Sequence, residues 1–492
     1  MWIDNIQVAV LPNSRDINVT SVEATKYVLI NKQDTIKVNF TNNGAATINE
    51  VVLNYKYGNS AVETQTFTST LGWGNTSNNQ VAFALPYLFT SAGYYKIKAW
   101  VSGVNNSTDL DHTNDTAVCY VTAQTANVAK NCLIEQFVSA NNGDTPDAQE
   151  KTQSISSSTV IIVNVHDNDS MTCAGITNLI TDYKTNYSTA LMDRKYFKDI
   201  NSVVVGKTFY TAKTTSCLTT VSPASVSIIN KSFNNGTRVL TFTVKADFVG
   251  DVKGDYRINA YLTENNVCRK ITDTTINGYN QISDYYLVPW SPYYKKGYYS
   301  SAVNSHVINA WYYKHQNVLI YAFGGAYGNT ITLPATGITT GQSYLQTFSV
   351  TIPTSTNGAV IYTPDNIYIV AYVAEGSANK NNRTILNCIK EKLTANGEYI
   401  FVRENGEIEN ASLTLFPNPN TGLFYLKLNE AQLNKEMVLT IKDILGRTVY
   451  ASKLESKNTI NEFNVSELAN GAYLLELELN VTKSSKKLII QH

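Results

Sequence analysis

A rhythm of short strands constrains this chain more than any single motif. Runs of alternating apolar and polar residues recur, each closed by turn-forming residues. In "TIKVNFTNNG", Thr35 to Gly44, the residues Ile36, Val38 and Phe40 share one face of an extended segment, and Asn-Asn-Gly then reverses it. "EVVLNYKYGN", "VETQTFTSTL", "YYKIKAWVSG" and "TAVCYVTA" continue the pattern. The spacing predicts a two-sheet β-sandwich over residues 1–124.

This first segment looks like an immunoglobulin-like module of bacterial surface proteins. Its turn "DLDHTNDT", Asp109 to Thr116, reads as an Asx-stabilised turn, with a calcium site as the alternative. No other cofactor or metal is expected. Only 16% of residues are charged, the net charge is zero and there are 32 tyrosines, so neutral polar groups must wet the surface, as suits a secreted β-rich protein. No basic field could hold a phosphate backbone, which argues against nucleic acid as a partner. No apolar run approaches the ~18 residues of a transmembrane helix. "MWIDNIQVAV" lacks a basic region and a long apolar core, so it is not a signal peptide; an exported chain would begin here at a processed end or an added Met1.

Residues 125–220 change character. "CLIEQFVSA" and the β-branched "TVIIVNV" read as buried strands. Between them Pro146 suits the first turn of a helix capped by Asp144 or Thr145, and a second helix follows "DNDS". Residues 221–395 return to strands, among them "SVSIINKSFNNGTRVLTFTVKADF" and "NIYIVAYVAE", and predict a second β-sandwich. Within it, Tyr285, Tyr286, Trp290, Tyr293, Tyr294, Tyr298 and Tyr299, followed by Trp311, Tyr312 and Tyr313, form an aromatic-rich segment. Such rings either cover a core edge, the favoured reading, or stack on sugars and protein partners.

Six cysteines, Cys119, Cys132, Cys173, Cys217, Cys268 and Cys388, contain no C-x-x-C pair. Their even number fits three disulfides in an oxidising compartment, or six buried thiols. If each domain keeps its own staples, the pairs are Cys173–Cys217, Cys268–Cys388 and Cys119–Cys132. Five histidines occur, with no zinc-protease, serine-hydrolase or P-loop motif. His166 with Asp167 and Asp169 could be a metal or acid–base cluster, or a loop capping the next helix, and the cap is favoured.

The last segment, 411–492, carries the most specific text. "LTLFPNPNTGLFYLKL" places Pro417, Asn418, Pro419, Gly422 and Phe424 in order; "IKDILGRTVY" adds Gly446 and Arg447; "FNVSELANGAYLLEL" adds Leu468, Gly471 and Tyr473; and "KKLIIQH" closes the chain. This resembles the C-terminal sorting domain of type IX secretion cargo. The resemblance implies a small immunoglobulin-like domain, recognition by the type IX machinery, and delivery outside or onto the surface of a Gram-negative, Bacteroidetes-type bacterium.

Residues 130–390 resemble outer-membrane-associated proteins of the same bacteria, in which a thioredoxin-like domain precedes a β-sandwich. Glu135, Phe137, Gly143 and Pro146 match that text, as do His166, Asp169, His306 and Val307 further on. The redox turn departs from it: the two cysteine positions are Asn142 and Thr145, ahead of Pro146. Thiol–disulfide exchange needs a thiolate and a resolving thiol, and an amide and a hydroxyl supply neither. A remaining role for the turn is anion or backbone binding at the helix N-terminus.

The reading is a mostly β multidomain chain: Ig-like sandwich, thioredoxin-like α/β domain without catalytic cysteines, β-sandwich and sorting domain. Its expected function is non-enzymatic binding or assembly at the cell surface, with a glycan, a protein or copies of itself as partner. The alternatives are a cell-envelope thiol-redox or chaperone-like factor, discriminated by a reactive cysteine, and a polysaccharide hydrolase, which needs two facing carboxylates.

Overall fold

The structure, a computed structural model, describes residues 14–72, 79–234, 236–267, 279–285, 287–289, 291, 298–301, 304–308, 313–328, 333–353, 362–393, 414–428, 436–444, 446–455, 460–479 and 482–492. Cys268, Tyr286, Trp290, Tyr293, Tyr294, Trp311 and Tyr312 lie outside the described residues. The chain is mostly β and divides into two compact units, 1–395 and 396–492.

In the first unit, strands Ile17–Glu23, Lys37–Asn42 and Asn79–Ala82 form one sheet. Tyr27–Leu29, Ile48–Tyr57, Glu63–Leu71, Gly93–Val104 and Thr116–Gln124 form the facing sheet. Alternate residues from both, including Val38, Phe40, Val51, Leu53, Ile97 and Val121, make the core between them. This is the sandwich that the period-two runs predict.

The next elements are β1 (Cys132–Val138), α1 (Thr145–Ser154), β2 (Val160–His166), α2 (Thr177–Tyr183), β3 (Thr189–Met192), β4 (Val204–Gly206) and α3 (Tyr210–Leu218). They are followed by β5 (Tyr256–Glu264), β6 (Val318–Ala326), β7 (Ile367–Glu375) and β8 (Ile385–Lys392). All eight strands belong to one sheet, in the order β4-β3-β1-β2-β6-β5-β7-β8. β1 and β2 run parallel, linked through α1, and β2 joins β6 through Asn164 N–H donating to Asn317 O at 2.8 Å. The segments 125–220 and 221–395, read apart in the sequence, thus share a sheet.

Both faces of that sheet are covered, which explains the uninterrupted burial of β1 and β2. Along β5, Ile258, Ala260 and Leu262 pack toward a second sheet made of Ala224–Asn234, Val239–Phe248 and Ser343–Thr351. Tyr261 points to the opposite face, among Leu133, Phe137, Val163 and Tyr372. The period-two geometry of a strand places these neighbours on opposite sides.

Glu264 ends β5 only 3% exposed. Its Oε1 accepts from Thr363 N–H at 2.8 Å, while Oε2 is buried without a partner. Burial pushes its carboxyl up to about 7. The native state therefore retains a proton that the unfolded chain releases near the ordinary value of 4.5. This stabilisation is present below that ordinary value and is lost as pH rises through about 7. Glu264→Gln keeps the acceptor for Thr363, so its melting temperature should fall less than that of the parent between acidic and mildly alkaline pH. Parallel melting curves across that range check this.

The second unit is a small sandwich. Thr414–Phe416, Leu423–Lys427 and Ile460–Asn464 form one sheet, and Glu436–Lys442, Thr448–Glu455, Gly471–Leu479 and Thr482–Ile490 the other. Phe424, Leu426, Leu439, Ile441, Leu475 and Leu488 fill its core.

Candidate functional site

The turn between β1 and α1 is where a thioredoxin-like active site would lie. α1 begins at Thr145 with Pro146 in its first turn, where the missing N–H costs nothing. The two positions that would carry sulfur act as hydrogen-bond acceptors. Asn142 Oδ1 takes Asp144 N–H at 3.1 Å, and Thr145 Oγ1 takes Ser139 N–H at 3.2 Å. Asp144 precedes the helix without capping it by its side chain. Its carboxylate instead pairs with Lys207 and accepts from Tyr285 OH at 2.8 Å. Burial opposes its charge, yet hydrogen bonds from Lys207, Ser188 and Tyr285 hold its carboxyl below the usual range.

The turn is covered by the chain itself. Gln281 Nε2 donates to Ser139 O at 3.2 Å and Asn142 O at 2.9 Å. Ile282 N–H donates to Ala140 O at 2.8 Å, and Asp284 N–H to Gly143 O at 3.0 Å. A side chain at Gly143 would put its Cβ 2.1 Å from the Asp284 carboxylate, so the Asp284 side chain can keep this position only over a glycine. The start of the tyrosine-rich segment is thus laid over the tip of α1. Of the other candidate aromatics, Tyr299 is 56% exposed and contacts His306, and Tyr298 lies in the strand Tyr298–Ser300.

Behind the turn, Asp169 Oδ2 lies 2.7 Å from His166 Nδ1 and accepts from Ala140 N–H at 2.7 Å, while Oδ1 accepts from Met171 N–H at 2.8 Å. Burial works against this carboxylate's charge, but His166 and the two amides hold it below the usual range. Asp169 therefore fastens the end of β2 to the turn. Asp167 pairs separately with Lys184. His315 stands against His166 with ring centroids 5.2 Å apart, and its Nε2 donates to Tyr279 O at 2.9 Å. Burial, with His166 adding to it, pushes the His315 imidazole down to about 3, so it stays neutral.

Glu135, read only as a match in β1, is the anchor of a buried ion pair. Arg194 Nε and Nη2 reach its two oxygens at 2.7 and 2.5 Å, and Tyr261 OH adds a bond to Oε1 at 3.0 Å. Arg194 is 1% exposed, so the network ties β1 to β5. Nothing in the local text around Arg194 marks it, because its partners come from distant segments.

The five described cysteines are free, and this corrects the Cys173–Cys217 and Cys119–Cys132 pairings. Cys217, on α3, lies instead beside Cys132 on β1, because the helix packs on the β1–β3–β4 face; Cys173 lies in the core on the other side. Cys132 Sγ, Cys217 Sγ and an Asp193 oxygen lie within 4.8 Å of one another, and no other metal-capable group of three converges among the described residues. The carboxylate is already committed, with Oδ2 to Lys130 Nζ at 2.7 Å and Oδ1 to Leu133 N–H at 2.8 Å. An ammonium at that distance opposes a second cation, so the trio does not suit a metal. In the acidic turn, Asp109 Oδ1 accepts from Asp111 N–H at 3.0 Å and Asp111 Oδ1 from Thr113 N–H at 3.0 Å, which is Asx-turn bonding, while Asp109 Oδ2 accepts from the distant Ile17 N–H at 2.6 Å.

Cys119, Cys132, Cys173 and Cys388 are held protonated. A hydrogen bond with Cys217 and then burial raise Cys132 well above the usual value, while burial pushes Cys173 up to about 12 and Cys119 up to about 11. Maleimide should label Cys132, Cys173, Cys217 and Cys388 in denaturant without reductant but leave them largely unlabelled in the folded protein. Peptide mass spectrometry checks both arms, and a cross-linked cysteine pair would contradict the free-thiol assignment.

In the second unit, Asn418 clamps the last strand: its Nδ2 donates to Lys487 O at 2.8 Å and its Oδ1 accepts from Ile489 N–H at 2.7 Å. Pro417 and Pro419 flank it with cis peptide bonds. Gly422 has φ +94°, and a Cβ there would lie 2.4 Å from Ser466 Cα. Gly446 has φ +79° in the turn before Thr448–Glu455, and Gly471 opens its strand, where Tyr473 OH donates to Ala469 O at 2.7 Å. Residues 414–491 match the family of secretion system C-terminal sorting domains.

The chain is type IX secretion cargo. This cargo is exported to the cell surface or secreted, and its sorting domain is handled by the type IX machinery. No helix among the described residues is long and apolar enough to cross a membrane. Among solved structures, HBP35 of Porphyromonas gingivalis is similar at 16% identity, covering 74% of this cargo chain and 100% of that one, with a TM-score of 0.41. The CARDB domain of PF1109 from Pyrococcus furiosus, solved in complex with di-metal ions, shares 21% identity over 23% of the cargo chain and 94% of its own, with a TM-score of 0.19. No curated protein sequence matches.

Proposed function

We propose that this cargo is a non-enzymatic binding or structural protein of the cell surface, and that residues 125–220 are a thioredoxin-like scaffold kept for packing. The observation that carries the reading is the covered turn. Asn142 and Thr145 spend their side chains on turn hydrogen bonds, and Gln281 to Tyr285 occupy the approach to α1. A redox protein must bring a partner's disulfide to that point. Here the chain's own backbone fills it, so the turn offers neither a nucleophile nor a vacant helix N-terminus.

The surface that remains is neutral and polar, with Tyr299 among its exposed rings. Such a surface suits adhesin-like contacts with a glycan, another surface protein or a second copy of the chain. The full chain should therefore bind saturably on a glycan or surface-protein array, or self-associate in analytical ultracentrifugation. A monomer inert on both, with thiol turnover on a disulfide substrate, would reverse the assignment.

A further inference from the structure

At the end of the eight-stranded sheet where β2 begins, a cavity of about 290 Å³ opens to the surface. Its wall includes Ser157, Ile162, Asn317, Tyr368, Lys390 and Lys392. Lys390 is partly buried in it. Its Nζ donates to Asn317 Oδ1 at 2.6 Å and lies 4.6 Å from the centre of the Tyr368 ring. Both partners are neutral. Among the described residues no carboxylate pairs with this ammonium, although neighbouring lysines have one: Lys231 meets Glu391 at 2.9 Å and Lys130 meets Asp193 at 2.7 Å.

An ammonium drawn out of water needs compensation from an anion or lies partly deprotonated. Lys390 has no such anion among the described residues, and burial alone pushes its amine down to about 8, so at neutral pH it still carries a mostly uncompensated charge. The same arrangement is a receptor half complete. The cation is fixed by Asn317 and Tyr368. Ser156, Ser157 and Ser158 set three exposed hydroxyls at the rim, and Lys392 adds an exposed second cation. Serine hydroxyls donate readily to oxyanions, and two amines with no opposing carboxylate select for negative charge.

We infer that this cavity binds a small oxyanion, carried by an acidic sugar or free as phosphate or sulfate, with Lys390 as its counter-charge and the serine rim as its hydrogen-bond donors. The site lies apart from the covered turn and stands whether or not that turn does chemistry.

Amine acylation tests it on the full, unmodified chain. Lys390 is labelled with a succinimidyl ester at mildly alkaline pH and quantified by peptide mass spectrometry against the solvent-exposed lysines. Glucuronate, inorganic phosphate and sulfate are added in separate arms, each matched in ionic strength with chloride. Binding keeps the amine protonated, and a rise of about one pKa unit would slow Lys390 labelling roughly fivefold in a saturable way. Protection by glucuronate alone assigns the ligand to acidic sugars, and protection by phosphate or sulfate to free oxyanions. Lys390→Met should lose any anion-dependent rise in melting temperature, and Lys390→Arg should keep it. Equal labelling of Lys390 in all arms, or equal protection by chloride, overturns the inference.

Discussion

Replacing Arg194 with Met should destabilise the 1–395 unit by about 3–5 kcal/mol, because it strands the Glu135 carboxylate in a dry interior. The two groups are each about 1% exposed and share two hydrogen bonds with each other and others with Tyr261. The pair as such is worth much less. Its charges gave up hydration to come together, and an apolar pair of similar volume avoids that cost. The double variant Glu135→Leu with Arg194→Met should therefore recover most of the loss. Urea unfolding of parent, singles and double separates the cases. A single variant within about 1 kcal/mol of the parent would mean that water reaches the network.

Export should depend on the C-terminal sandwich with comparable severity. Removing residues 414–492 should leave the cargo inside the outer membrane, read by fractionation of the producing cells. Within the domain, two glycines separate strain from collision. Gly422→Val meets both a positive φ and the Ser466 backbone, and should cost at least about 2 kcal/mol and lower export. Gly446→Ala meets only the positive φ, with nothing within 4 Å of its Cβ, and should cost about 1 kcal/mol and leave export near the parent level.

These positions also mark what can be read along a chain and what cannot. Period-two alternation is local, so the strands of the N-terminal sandwich, such as Lys37–Asn42 and Gly93–Val104, stand out in the text. The sorting motif is local too, and its glycines and prolines sit at turns. The sheet that unites 125–220 with 221–395 left no such trace, because β2 and β6 pair across more than 150 residues of sequence. The order of the cysteines along the chain suggests partners within each domain, yet Cys217 lies beside Cys132, because helix packing rather than proximity in the chain places a side chain. The absence of sulfur at Asn142 and Thr145 was plain from the residues. That Gln281, Ile282 and Asp284 close over them was not, since Ile282 and Asp284 bond through backbone N–H groups that any residue could supply and the Gln281 amide reaches carbonyls about 140 residues away.

One assay bears most directly on the covered turn: reduction of insulin disulfides by the full chain with dithiothreitol as electron donor. A protein with no thiol at the tip of α1, and with its described cysteines buried or held protonated, should give the rate of dithiothreitol alone. Turnover above that rate, abolished by prior alkylation of the folded protein, would contradict the account.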